Sequence, residues 1–251
     1  MRPALLPGLL NSIRHNLNHG IRDVCLFEIG RVFAVFEPGK LPEEREALAL
    51  VATGGLMEAS RAQADRELDF FDLKGALESA VEAMNLPPLD YQAAGARHLR
   101  AGQAAAISIN GVKVGAIGRL AESVADAYKF RQPIFVAEID LTALLEMKDT
   151  PVLYSPLPRF PSIVRDVSLL LDSKVTLAEL LAAANDETAE NCLGAKFVGA
   201  YEGEGIPEGK RSVTLRFEYR ADDRTLRDEE VDAIHWPLVK ALQEKFAAEI
   251  R

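Results

Sequence analysis

At 251 residues the chain suits about two domains, and its 48% hydrophobic and 27% charged content are those of an ordinary soluble globule. The balance is acidic, 29 Lys and Arg against 38 Asp and Glu for a net charge of −9, and the excess is spread along the chain, with 13 basic against 18 acidic residues from Ser155 onward. This argues against a nonspecific, charge-driven nucleic-acid binder but leaves open a reader that recognises one exposed loop by shape and stacking. Cys25 and Cys192 lie far apart in apolar contexts and read as buried free thiols in a reducing compartment. Without a signal-peptide pattern or an apolar run long enough for a membrane span, a cytoplasmic protein is expected.

Leu5, Leu6, Leu9, Leu10, Ile13 and Leu17 recur at helical spacing; Pro3 and Pro7 suit a first turn and His19-Gly20 an end, so a helix opens the chain. Val24–Phe33 reads as a strand interrupted at Gly30, and Leu48–Thr53 as a buried strand. Asp72 is expected to cap a helix running to Asn85, with Leu73, Leu77, Val81 and Met84 on its apolar face and Pro87-Pro88 stopping it. Ile107–Val114 forms a hairpin, because Asn110-Gly111 tolerates the positive φ of a tight turn. Ile134–Ile139 is a further strand. Helices among antiparallel strands make residues 1–150 an α+β domain ending near Lys148.

A proline-punctuated stretch from Pro151 to Pro161 then separates a second domain, residues 156–251, from the first. Val167, Leu169 and Leu171 line one face of a strand. Thr176 and Glu179 have capping-box spacing and open a helix burying Leu177, Leu180, Leu181 and Ala184. Lys196–Tyr201 is a second strand, and Val213, Leu215, Phe217 and Tyr219 alternate with polar residues on a third. Val231, Ile234, Leu238, Leu242 and Phe246 make the last helix amphipathic. Pro237 falls inside it and, at a cost of about 3 kcal/mol, is expected to kink or break it near Trp236. The order is strand, helix, strand, strand, helix; in a split βαββαβ sheet the helices cover one face and leave the other open.

No catalytic constellation emerges. His15 and His19 sit at i and i+4 but lack a third ligand, so a polar helix face fits them better than a metal. Gly111, Gly115 and Gly118 decorate a hairpin and precede no Lys-Ser/Thr, which argues against a phosphate-cradling loop; no serine occupies a nucleophile elbow. Asp222-Asp223 and Asp228-Glu229-Glu230 read as a turn and as an acidic first helical turn. His98, His235 and Trp236 show no partner in sequence, and packing or surface roles suit them. What remains is a surface. Aromatics on an open sheet face can stack unpaired bases at roughly 1–3 kcal/mol each, and Tyr201, Arg216, Arg220, Arg165 and Phe160 are the candidate contacts. Taken singly, Phe160 and Tyr201 read as edge packing and the arginines as solvation of the sheet.

Taken in order, several short motifs carry a resemblance. They are Leu5-Leu-Pro-Gly-Leu-Leu10 with Arg14-His-Asn16, Phe27-Glu-Ile-Gly-Arg-Val-Phe33, Asp72-Leu-Lys-Gly75 and Asn110-Gly-Val-Lys-Val-Gly-Ala-Ile-Gly118. The tail adds Phe160-Pro-Ser-Ile-Val-Arg-Asp166, Tyr201-Glu-Gly203, Gly209-Lys-Arg-Ser212 and Arg224-Thr-Leu-Arg-Asp-Glu-Glu-Val231. In this order they resemble the C-terminal part of the bacterial phenylalanyl-tRNA synthetase β-subunit family. The resemblance implies a class II synthetase-like antiparallel sheet with helices that does not catalyse, then a ferredoxin-fold anticodon-binding domain. It also implies an α subunit that carries the active site, an α2β2 heterotetramer, and tRNA(Phe) as a partner. ATP and Mg²⁺ are then used by the holoenzyme, with no cofactor on this chain, and the chain is a piece of a longer one.

In class II enzymes a Gly-x-Gly-x-x-Arg motif supplies an arginine to ATP. Its equivalent here, Ala137-Glu-Ile-Asp140-Leu-Thr, has acids that would repel a triphosphate. By the same resemblance the first helix forms the dimer contact, so Leu6, Leu9, Leu10 and Ile13 would face the α subunit. The family's His-Pro-Gly-Arg-Ala-Ala stands here as Arg100-Ala-Gly-Gln-Ala-Ala105, its Glu-Leu-His-Pro as Arg119-Leu-Ala-Glu122, and an aspartate two positions before the tyrosine as Gly199. That leaves stacking on Tyr201 as the expected base contact. An alternative reading is an amino-acid-sensing regulatory module with a ferredoxin-like ligand domain; the missing catalytic constellation opposes a stand-alone metabolic enzyme.

Overall fold

The structure, a computed structural model, describes residues 1–34, 41–57, 66–147, 153–154, 156–186 and 190–251. Lys148, and Pro151, Val152 and Ser155 of the proline-punctuated stretch, lie outside the described residues. The chain divides into two compact units, Met1–Leu153 and Tyr154–Arg251. The architecture is α+β, with antiparallel sheets in both units.

The first unit opens with α1 (Leu6–Asn18), with Pro7 in its first turn. There follow β1 (Val24–Ala34), β2 (Glu43–Thr53), β3 (Gly55–Met57), β4 (Arg66–Glu67) and α2 (Phe70–Ala83). Next come β5 (Asp90–Ala93), β6 (Leu99–Ile109), β7 (Val112–Leu120), α3 (Glu122–Tyr128), β8 (Phe135–Asp140) and α4 (Leu141–Leu145). Six strands form one antiparallel sheet in the order β1-β2-β8-β7-β6-β5. Alternation along β2 sends Ala47, Ala49 and Val51 into a core shared with α1, and Leu48, Leu50 and Ala52 into a second core with α2. Both faces of this sheet are therefore covered.

Three local expectations change. β1 runs through Gly30 without interruption, Gly30 pairing with Ala47. A Cβ at Gly30 would stand 2.3 Å from Arg2 Nη2, the mobile end of a side chain that crosses the strand to pair with Glu28 at 2.6 Å. The cap of α2 is Asp69, which accepts from the Phe71 and Asp72 N–H groups, while Asp72 at N3 reaches back to the Asp69 N–H at 2.8 Å and grips Arg66 with both oxygens. Cys25 is exposed rather than buried, because β1 is the sheet edge and α2 packs over β2, β7 and β8; Cys192 is half-buried, and both are free.

The second unit comprises β9 (Ile163–Asp172), α5 (Leu177–Asp186), β10 (Cys192–Tyr201), β11 (Lys210–Tyr219), α6 (Asp228–Phe246) and β12 (Glu249–Ile250). The order β10-β11-β9-β12 is that of a ferredoxin-like βαββαβ sheet, closed by a fourth strand of two residues. Thr176 and Glu179 form the reciprocal cap read from their spacing, at 2.8 and 3.2 Å. α5 buries Leu180, Ala183 and Ala184, with Leu177 and Leu181 half-buried at its margins. α6 presses Val231, His235, Leu238, Val239 and Leu242 onto the sheet.

Pro237 does not break α6, which continues without interruption from Asp228 to Phe246. The reason lies in where the defect falls. Pro237 lacks the N–H that the Ala233 carbonyl would accept, and both residues are on the exposed face, where water serves that carbonyl. Meanwhile buried contacts on both sides of the proline hold the helix down. Pro237→Ala restores the backbone bond at an exposed site. It should raise the unfolding free energy of the second unit by about 1–2 kcal/mol, read from urea denaturation followed by circular dichroism.

Candidate nucleic-acid interface

Both helices of the second unit lie on one side of its sheet. Val167, Leu169, Leu171, Val213, Leu215, Phe217 and Tyr219 point into that side and are buried. The residues between them point to the other side, which no element among the described residues covers. Register fixes three rows on this open face. Tyr201 stands opposite Ser212, which stands opposite Leu170. Gly199, Thr214 and Ser168 form the next row, and Lys196, Arg216 and Asp166 the third.

The first two rows enclose a concavity of about 460 Å³, lined by Ser168, Gly199, Tyr201, Ser212, Thr214 and Arg251. Tyr201 forms one wall, 48% exposed, with the Arg251 guanidinium carbon 5.7 Å from its ring centroid. Its hydroxyl donates to the Glu204 carbonyl at 3.3 Å, which pins the ring against the following turn. Gly203 makes that turn possible: its φ is +151°, and a Cβ there would lie 3.1 Å from the Tyr201 hydroxyl. This is the physical content of Tyr201-Glu-Gly203. The floor is small and polar, with Ser168 Oγ and Thr214 Oγ1 hydrogen-bonded at 2.8 Å. At Gly199 a Cβ would meet nothing within 4 Å, so the concavity is open where a larger side chain would enter.

Of the five residues read from sequence as contacts, the concavity contains Tyr201 alone. Arg216 is on the open face, but its Nε and Nη2 hold both oxygens of Asp166 at 2.8 and 2.7 Å. That pairing keeps the Asp166 carboxyl below its usual range. Arg165 faces the opposite way. As an odd-numbered residue of β9 it points to the helix side, where it donates to Asp228 at 2.5 Å and Asp232 at 3.1 Å on α6. Its expected place on the open surface is therefore corrected. Arg220, just past β11, is half-buried, with its N–H on the Asn191 carbonyl; Phe160 precedes β9 and is half-buried. Sequence reasoning missed Arg251, Ser168, Ser212 and Thr214. The serines and the threonine were legible as the polar partners of alternating strands. Arg251 carried no signal, because a two-residue strand has no periodicity.

Beneath the face, Tyr219 Oη and His235 Nδ1 are joined at 2.8 Å inside the core, with His235 2% exposed. The lone histidine is thus a packing residue with a satisfied polar end.

In the first unit Leu6, Leu9, Leu10 and Ile13 are only 7, 5, 4 and 0% exposed, packed on Ala47, Ala49, Val51 and Val136. A fully buried Leu or Ile contributes roughly 1.5–3 kcal/mol, so the stripe belongs to its own core and cannot face a subunit. Apolar side chains that do stand free include two neighbours on β1, Phe27 71% and Ile29 55% exposed on the edge strand. Glu138 and Asp140 have structural partners: Glu138 accepts the Leu5 N–H at 3.0 Å, while Asp140 caps α4 and pairs with Arg45 at 3.2 Å. Among the described residues, no group of three or more His, Cys, Asp or Glu side chains is placed to hold a metal, and no helix is long and apolar enough to cross a membrane.

The phenylalanyl tRNA synthetase beta chain CLM domain model matches residues 1–141, and the ferredoxin-fold anticodon binding domain model matches residues 158–251. The chain belongs to the phenylalanyl-tRNA synthetase beta chain family. Among curated relatives, the phenylalanine–tRNA ligase beta subunit of Symbiobacterium thermophilum is 34% identical over 251 residues, that of Syntrophotalea carbinolica 32% over 252, and that of Bacillus subtilis 31% over 252. Each alignment takes in 100% of this chain but only 28%, 31% and 31% of the relative, so the chain spans about three tenths of their length. Among solved structures, pyrrolysyl-tRNA synthetase from Desulfitobacterium hafniense aligns with a TM-score of 0.44 at 16% identity, over 58% of this chain and 48% of that one.

Burial, reinforced by the Arg165 charge, holds the His235 pKa below the ordinary histidine value. The folded state refuses a proton that the unfolded chain accepts below about pH 6.5, so this contribution to stability is complete above that pH and declines as pH falls toward the lowered folded pKa. Urea midpoints followed by the single tryptophan, Trp236 of α6, should therefore fall between about pH 7 and pH 5.5, and His235→Gln should flatten that dependence.

Proposed function

We propose that this chain is the part of a phenylalanine–tRNA ligase β chain that performs no chemistry itself. Its second unit holds an anticodon base of tRNA(Phe) against Tyr201, and its first unit supports the α subunit. The observation that carries this reading is the concavity on the open sheet face, with an aromatic wall, a hydroxyl floor and one flanking guanidinium, in a domain of the anticodon-binding family. A base takes the ring face that Arg251 now covers and leaves that guanidinium to pair with the adjoining phosphate. Ser168, Ser212 and Thr214 offer hydroxyls to the base edge.

The whole complex, an α2β2 heterotetramer of the cytoplasm, attaches phenylalanine to tRNA(Phe) with ATP and Mg²⁺ handled by the α subunit. This chain contributes no catalytic residue and binds no cofactor. The engagement of Glu138 and Asp140 in structural contacts supports this division, since the segment equivalent to the class II arginine motif holds the fold together instead. The α subunit docks on the β1 edge through Phe27 and Ile29 rather than on the α1 stripe.

Tyr201→Ala in the complex should weaken tRNA(Phe) binding about tenfold in filter binding without lowering the thermal midpoint, because the ring is half exposed. Arg165→Gln should leave that affinity within about twofold, since exposed or partly exposed ion pairs contribute little beyond local stability. Unchanged affinity in Tyr201→Ala removes the stacking role. Phe27→Asp should abolish co-purification with the α subunit, and with it aminoacylation, since it places an unpaired charge at the contact; a normal complex would assign the α contact elsewhere.

A further inference from the structure

The first unit holds a second concavity, of about 480 Å³, on the α2 side of its sheet. Register places its lining on one face: Arg119 opposite Phe135, Ala93 opposite Ala105, and Tyr91 opposite Ile107. Phe70, Tyr91 and Phe135 supply rings, while Ala93 and Ala105 keep the floor shallow in side chain and deep in space. Phe71 stands at the rim, edge-on to Phe70 at 5.6 Å.

The polar groups around it are not equally engaged. The Asp69 carboxylate caps α2, accepting the Phe71 N–H at 2.7 Å and the Asp72 N–H at 3.2 Å. The Arg119 guanidinium, by contrast, makes no ion pair or hydrogen bond among the described residues, although the residue lies half-buried on β7. The Tyr91 hydroxyl is buried and also without a partner among them. An apolar ring-lined hollow with one unengaged guanidinium has the makeup of a small-ligand site. A single guanidinium matches one carboxylate; a phosphate chain calls for a cluster of cations.

We propose that this concavity binds a small aryl carboxylate, its ring between Phe70, Tyr91 and Phe135 and its carboxylate on Arg119. The site lies wholly in the first unit and does not depend on the tRNA reading, so the two can fail separately. Titration of the full chain with 3-phenylpropanoate by calorimetry and heteronuclear NMR should give saturable binding with a Kd of about 0.1–1 mM. Arg119→Gln, and separately the uncharged ligand 3-phenylpropanamide, should each weaken binding about tenfold or more. Ala93→Trp, which fills the hollow from an exposed position, should abolish it, with urea midpoints checking that each variant folds. Phenylalanine, run in parallel, separates a plain aryl acid from an aryl amino acid as the ligand; binding of either that is lost in Arg119→Gln supports the site. No saturable binding of either ligand at about 10 mM, or binding unchanged in either variant, overturns it.

Discussion

Helices cover only one side of the second unit's sheet, and alternation along the strands turns that asymmetry into two surfaces of opposite character. On β9 and β11, odd-numbered positions carry Val167, Leu169, Leu171, Val213, Leu215, Phe217 and Tyr219, which form the core. Even-numbered positions, mostly hydroxyls and charges with Val164 and Leu170 among them, face the other side. A one-residue slip in register would invert every one of these positions, so the buried face dictates the identity of the open one. Tyr201 inherits its orientation through its pairing with Ser212. The same rule removes Arg165 from the outer surface and gives it to α6.

The first unit obeys the opposite arrangement. Its six-stranded sheet is covered by α1 and α3 on one side and by α2 and α4 on the other, and little of it is left bare away from the edges. Two acidic side chains of β8 are parts of the scaffold. Glu138 ties the start of α1 to the sheet, and Asp140 opens α4 while holding Arg45.

The periodic elements were legible in the sequence because their signals are local. The amphipathic helices, the alternating strand at Val213–Tyr219, the Asn110-Gly111 turn and the Thr176–Glu179 cap all follow from neighbours in the chain. What escaped depends on distant partners. Gly30 looked like an interruption because its pairing with Ala47 is invisible to a window around it, and Pro237 looked like a break because its exposure was unknown. Asp72 was given the cap that belongs to Asp69, since both acids suit a helix start and only the geometry ranks them. In the candidate site Tyr201 was found by its aromatic character. Its partner Arg251 and the Ser168–Thr214 pair come together only through sheet register.

The fork joining Arg216 to Asp166, together with the Lys196–Glu218 pair beside it, has a consequence for how a polyanion would meet this face. Both of these positive charges already have a resident negative one, so a strand laid across them would displace few condensed counterions. The favourable entropy that drives most basic proteins onto any nucleic acid is largely missing. Attachment through these paired residues would depend only weakly on ionic strength. An acidic chain whose Arg216 and Lys196 are paired in this way offers a polyanion little nonspecific attraction at this part of the face.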